Sequence, residues 1–182
     1  MQLFVAVVVC LSNAVAQPRL YIVRHAEKVA NWPEQSLGNF QPLSEEGVAT
    51  AKRLAKHFEK ASFAAVYSSS TTRALHTAFM VGQKLSLPVD TALAMRDTSA
   101  IEAFYSSLSK KFGPTQSVLL VTHQNIVPYL LVKAGLTRDC FDAMGIHPSM
   151  ESRWLLIEGY DNIFVVERMG MKDCTGITRE RF

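Results

Sequence analysis

"LYIVRHAEK", residues Leu20 to Lys28, decides how the rest of the chain is read. Leu20, Tyr21, Ile22 and Val23 form an unbroken apolar run, the pattern of a strand buried on both faces. That run turns directly into Arg24, His25, Glu27 and Lys28, with no Gly, Pro, Asn or Ser to make the exit. A chain that only needed to leave its core would use one of those turn formers. A guanidinium beside an imidazole at the end of such a strand therefore calls for a chemical reason.

The same layout recurs outward from this stretch. A polar loop, "NWPEQSLGNFQP" (31–42), leads to Ser44, which is placed to cap the helix "EEGVATAKRLAKHF" (45–58). Val48, Ala51, Leu54, Ala55 and Phe58 share one face of it at helical spacing. "FAAVYS" (63–68) is a second apolar strand running into a helix opened by hydroxyl residues (69–85), and "LPVDTALA" contains a short third strand. A helix over 98–113, capped by Thr98 or Ser99, precedes the fourth strand "SVLLVTH" (117–123), which ends on another histidine. A helix over 124–135 and a last strand, "NIFVVERM" (162–169), complete the alternation. Strands apolar on both faces that alternate with helices specify an α/β fold, a three-layer sandwich with a mainly parallel central sheet and helices on both faces. Ligands bind such sheets beyond the carboxyl ends of the strands. Arg24 and His25 follow the first strand, Arg73 starts the helix after the second, and His123 ends the fourth, so all four face one cleft.

Composition narrows the function. The chain has 182 residues, 48% hydrophobic and 19% charged, with a formal charge of +3. No basic run and no aromatic-interleaved basic segment accompanies that small charge, which disfavours nucleic acid as a partner. "MQLFVAVVVCLSNAVAQP" has a short apolar segment followed by Ala14-Val15-Ala16, the layout of a cleaved signal peptide over residues 1–16. The alternative is a buried strand, "LFVAVVV". The segment is too short to span a membrane, which takes roughly 20 apolar residues. Residues 17–182 are then one domain, periplasmic or secreted, with no membrane attachment after cleavage. Removal of Cys10 leaves Cys140 and Cys174 either joined by one disulfide or as two buried thiols.

Two arginines and two histidines around one cleft suit a phosphoryl group. Guanidinium forks match phosphate oxygens and keep their charge at every relevant pH. One neutral histidine can attack phosphorus while the other, protonated, neutralises the transferring oxygens. This machinery needs no metal and no cofactor, and no cluster of His, Cys and carboxylates has metal-ligand spacing. His57, His76 and His147 read as two helix-face residues and a loop residue.

In order along the chain, "LYIVRHAEK", "PLSEEGVATAKRLAKHF", "VYSSSTTRALHTA" and "VLLVTHQN" resemble the signature segments of the histidine phosphatase superfamily, in its phosphoglycerate-mutase-like branch. The resemblance covers nearly all of Arg19 to Val166. It implies that His25 is the nucleophile and becomes phosphohistidine, while Arg24, Arg73 and His123 hold the phosphoryl oxygens. Gln124 after His123 departs from the acid-phosphatase and phytase branch. The acid that protonates the leaving group falls on Asp97, within Met95-Arg96-Asp97, with Glu102 and Glu27 as alternatives. The expected activity is hydrolysis of a small phosphomonoester. Alternatives are a phosphohistidine-protein phosphatase, a phosphoglycerate-mutase-type phosphotransferase, or a non-catalytic binder of anionic sugars. The sequence leaves the substrate and the oligomeric state open.

Overall fold

The computed structural model describes residues 17–33, 37–172 and 174–182; the expected signal segment lies outside the described residues. Along the chain come β1 (Arg19–Arg24), α1 (Glu45–His57), β2 (Ala65–Ser68), α2 (Thr72–Leu85), β3 (Val89–Thr91), α3 (Ile101–Lys111) and β4 (Ser117–Thr122). They are followed by α4 (Val127–Ala134), α5 (Phe141–Met144), β5 (Ile146–Pro148), β6 (Leu155–Ile157), β7 (Asn162–Val166) and β8 (Ile177–Arg181). Six strands form the main sheet in the order β3-β2-β4-β1-β7-β8. The first four are mutually parallel, and β7 and β8 add an antiparallel edge. The sheet is therefore mainly parallel, as expected. No described helix is long and apolar enough to cross a membrane.

Period-two alternation in the buried strands divides the core into two layers. Leu20, Ile22, Val118, Leu120 and Phe164 point to one face, where Ile101, Tyr105 and Leu108 of α3 and Leu130, Leu131 and Ala134 of α4 cover them. Val23, Leu119, Val121, Ile163 and Val165 point to the other, covered by Leu54 and Ala55 of α1 and Ala74, Ala78 and Val81 of α2. The helices start and stop where local chemistry dictates. Ser44 caps α1, its hydroxyl accepting from the Gly47 amide, with Glu45 and Glu46 in the first turn where the helix dipole favours negative charge. Gly135 ends α4 at φ 118°, a left-handed conformation that suits glycine.

The second half holds more strand than the sequence indicates. The last strand stops at Val166 rather than 169, runs antiparallel to β1, and pairs with β8, which the sequence reading did not anticipate. β5 and β6 form a separate antiparallel pair. Cys140 and Cys174 are joined in a disulfide with Cα atoms 5.6 Å apart, which removes the free-thiol alternative. The bridge closes a loop containing β5, β6 and β7. In the chain-entropy account a loop of this length stabilises the fold by roughly 3–4 kcal/mol.

Candidate active site

Pairing register places the site. Arg24 lies opposite Thr122 in the β1–β4 pair and Ser68 opposite Val121 in the β2–β4 pair, so His25, Ser69 and His123 emerge side by side where three parallel strands end. The His25 amide donates to the Thr122 carbonyl at 2.8 Å, continuing the sheet one residue beyond the strand. Arg73 enters from the first turn of α2. The four residues expected to share a cleft are thus brought together.

His25 is buried, with 4% of its surface exposed, and its hydrogen bonds define its chemistry. Nδ1 lies 2.7 Å from the Ala26 carbonyl oxygen. A carbonyl can only accept, so Nδ1 carries the hydrogen and Nε2 presents a lone pair. Arg73 Nε donates to that Nε2 at 3.1 Å. The ring is held from behind as well: the Ala26 amide donates to Thr77 Oγ1 at 3.1 Å, and that hydroxyl donates to the Arg73 carbonyl. Burial, then the neighbouring His123, Arg73 and Arg24, push the imidazole's pKa down to about 2 against a favourable contact with the Ala26 carbonyl. His25 is a neutral base with one aimed lone pair.

His123 stands edge-on to His25 with ring centroids 5.1 Å apart. Its Nε2 is 2.9 Å from Ser69 Oγ, which is 3.0 Å from Thr71 Oγ1. Burial and the charges of Arg73, Arg96, Arg24 and Lys28 lower its pKa to about 3. Burial first, and then four nearby cations, oppose the protonated form that the sequence reading assigns to His123 during phosphoryl transfer, so that form depends on an anion arriving.

Arg24 is oriented by a partner the sequence does not reveal. Its guanidinium carbon lies 3.8 Å over the ring centre of Tyr160, and its Nη atoms donate to the Gly159 carbonyl at 3.1 Å and the Tyr160 hydroxyl at 2.9 Å. Its Nε is buried without a hydrogen-bond partner. A buried charged donor with no acceptor is costly unless a ligand supplies one. Arg73 Nη1 donates to the Gly38 carbonyl at 2.8 Å. Asn39, Thr71, Arg73, Arg96, His123, Asn125 and Ile126 line a cavity of about 200 Å³.

The carboxylates behave otherwise than expected. Asp97 is an N-cap: its Oδ1 accepts from the Ser99 hydroxyl at 2.7 Å and the Ser99 amide at 2.9 Å. Those bonds hold its carboxyl below the usual range, which favours the ionised form over a proton donor. The cap of this turn is Asp97 itself, not Thr98 or Ser99. Glu102 pairs with Lys133, which likewise lowers its pKa. Glu27 has one carboxylate oxygen, Oε2, buried without a hydrogen-bond partner, in electrostatic contact with Arg24. Among the described residues no group of three His, Cys, Asp or Glu is arranged to hold a metal ion.

Sequence reasoning missed Ser69, Arg96 and Tyr160. Arg96 stood next to the residue singled out, and its place beside a strand-end cleft was the available signal; Tyr160 reaches Arg24 across 136 residues and left none.

The family model for the histidine phosphatase superfamily (branch 1) matches residues 20–105, which contain Arg24, His25 and Arg73. Among solved structures, the protein histidine phosphatase SixA complexed with tungstate superposes with a TM-score of 0.62 at 20% identity, over 89% of this chain and 94% of that one. A SixA from Agrobacterium tumefaciens, described as a putative phosphohistidine phosphatase, gives 0.65 at 16%, over 90% and 95%. A mycobacterial glucosyl-3-phosphoglycerate phosphatase complexed with VO3 gives 0.64 at 16%, over 90% and 97%. At these identities the likeness is one of fold. No curated protein matches the chain. Motif segments, strand-end geometry and family model point the same way: residues 20–105 of the chain match the histidine phosphatase superfamily, branch 1.

Proposed function

We propose that the protein is a phosphatase that takes a phosphoryl group onto His25 and passes it to water. One observation carries this reading: the Ala26 carbonyl fixes the Nδ1 hydrogen of His25, leaving Nε2 as a lone pair beside Arg73 and the unpaired Nε of Arg24. In the first step the Nε2–P bond forms and the bond to the leaving oxygen breaks. In the second, water attacks phosphorus, the N–P bond breaks, and inorganic phosphate departs with Nε2 restored. Arg24 and Arg73 balance the charge of the phosphoryl oxygens, which preorganised donors do most effectively in a water-poor site. His123 donates a ring N–H to the same group, and the arriving dianion offsets the cations that hold His123 neutral. The charge stabilisation comes from side chains, without metal.

The leaving group distinguishes two substrate classes. An alkoxide must be protonated, and a positioned acid contributes roughly 10²–10⁴-fold. Of the three carboxylates considered, Asp97 and Glu102 are engaged elsewhere, which leaves Glu27 as the donor for an ordinary phosphomonoester. The same scarcity of free acids supports a second reading, a phosphohistidine-protein phosphatase, in which the leaving group is an imidazole. An exported setting is also proposed, supported by the signal-like segment before Gln17 and the Cys140–Cys174 disulfide, a bond favoured by oxidising compartments. The chemistry is tested with p-nitrophenyl phosphate: the wild type should turn it over and His25→Ala should not. Equal rates would sink the catalytic reading and leave an anion binder.

A further inference from the structure

Four cations converge at the site, and among the described residues none has a carboxylate within ion-pair distance. Arg24, Lys28, Arg73 and Arg96 take part in none of the ion pairs, which fall on Arg19, Lys84, Lys133, His147 and Arg181. The crowding has a cost: Arg96 is the foremost charge opposing Arg73, and it also opposes protonation of His123. Glu27 offsets part of the charge of Arg24, and the remaining like-charge repulsion is relieved when an anion enters.

A transferring phosphoryl group accounts for two of the four. Arg73 touches the nucleophilic nitrogen and Arg24 offers a buried free donor. Arg96 is placed differently. Among the described residues it hydrogen-bonds to neither histidine, and its guanidinium donates to Ser70 Oγ at 3.3 Å and Asn39 Oδ1 at 3.5 Å, long bonds to uncharged groups. It is also the one residue common to two cavities. The first, of about 200 Å³, contains Arg73 and His123; the second, of about 270 Å³, is walled by Ser70, Thr91, Ala92 and Leu93. Its guanidinium therefore stands where the remainder of a substrate would extend beyond the phosphoryl group, between a polar chamber and one with two hydroxyls and an exposed leucine.

We infer that Arg96 anchors a second anion subsite, and that the substrate is a phosphorylated compound carrying another anionic group, carboxylate or phosphate, outside the group transferred. The inference rests on the phosphatase reading for where the phosphoryl group sits, and p-nitrophenyl phosphate turnover tests that reading separately. The subsite is tested by binding, so that turnover does not enter. Calorimetric titration of the full chain carrying His25→Ala uses three probes: glycerol 3-phosphate, 3-phosphoglycerate and 1,3-propanediol bisphosphate. A charge-assisted pair in this setting should make at least one dianionic-plus-anionic probe bind about 10-fold more tightly than glycerol 3-phosphate. Preference for both assigns a general anion subsite, and preference for one identifies the anion. Adding Arg96→Gln should collapse the ratio toward unity, and Arg96→Lys should keep part of it. Equal affinity for all three probes would overturn the proposal. So would an Arg96→Gln variant that weakens every probe by the same factor, which would put Arg96 on the transferring phosphoryl group.

Discussion

A single hydrogen decides the chemistry of His25. Placed on Nδ1 by the Ala26 carbonyl, it leaves on Nε2 the lone pair that Arg73 meets and that the proposed attack on phosphorus requires; a hydrogen on Nε2 would block that attack. Asp97 shows the same logic in reverse, since a carboxylate that accepts two hydrogen bonds from Ser99 gains by staying ionised. Asp97→Asn should therefore leave the ratio of alkyl to aryl phosphate turnover where it is in the wild type, because asparagine keeps the cap and no proton was being donated. Comparing kcat for phosphoethanolamine and p-nitrophenyl phosphate checks this, and a selective loss on the alkyl substrate would restore Asp97 as the acid. Asx capping of its own turn competes with any role of Asp97 in the cleft, and a short stretch of sequence does not show which prevails.

At the scale of elements, the turn after β1 and the first turn of α1 meet through a contact that permits no side chain. A Cβ on Gly47 would lie 1.9 Å from the Glu27 carbonyl oxygen, two residues beyond His25. The same carbonyl accepts from the Ser44 amide at 3.0 Å, so the helix cap and the catalytic turn are built against each other. Gly47→Ala should force them apart, lowering stability by about 1–3 kcal/mol and activity with it, as read by urea denaturation and p-nitrophenyl phosphate turnover. Unchanged stability would mean that the turn is free to shift. The elements that position Arg24, His25, Arg73 and His123 were legible because their strands are apolar runs that lead directly into polar or charged residues. β8 was not, since Thr178, Arg179, Glu180 and Arg181 form a polar edge strand whose partner, not its own composition, makes it a strand. Tyr160 escaped for a similar reason: it lies in the loop closed by the disulfide and reaches Arg24 only once β7 has docked antiparallel to β1.

Over the whole molecule, the site is held against the stability of the fold. Both histidines are buried neutral, with pKa values near 2 and 3, whereas an unfolded histidine titrates near 6.5. Lowering the pH through 6.5 protonates them in the unfolded chain and not in the folded one. Their contribution is thus fully present above about pH 6.5 and is lost as the pH falls toward 3, by up to roughly 1.4 kcal/mol per pH unit for each. Denaturant unfolding should show markedly lower stability at pH 5 than at pH 7.5, with a shallower dependence in His25→Asn; identical pH profiles for variant and wild type would contradict the burial account. The central claim is covalent, and it is most directly tested by acid-free rapid quenching of the wild-type enzyme with excess p-nitrophenyl phosphate, followed by peptide mass spectrometry at alkaline pH, where phosphohistidine survives. The expected result is one phosphoryl group on His25, absent from His25→Ala and from samples without substrate. Steady turnover with no phosphoryl group on His25, or with the group on His123, would contradict it.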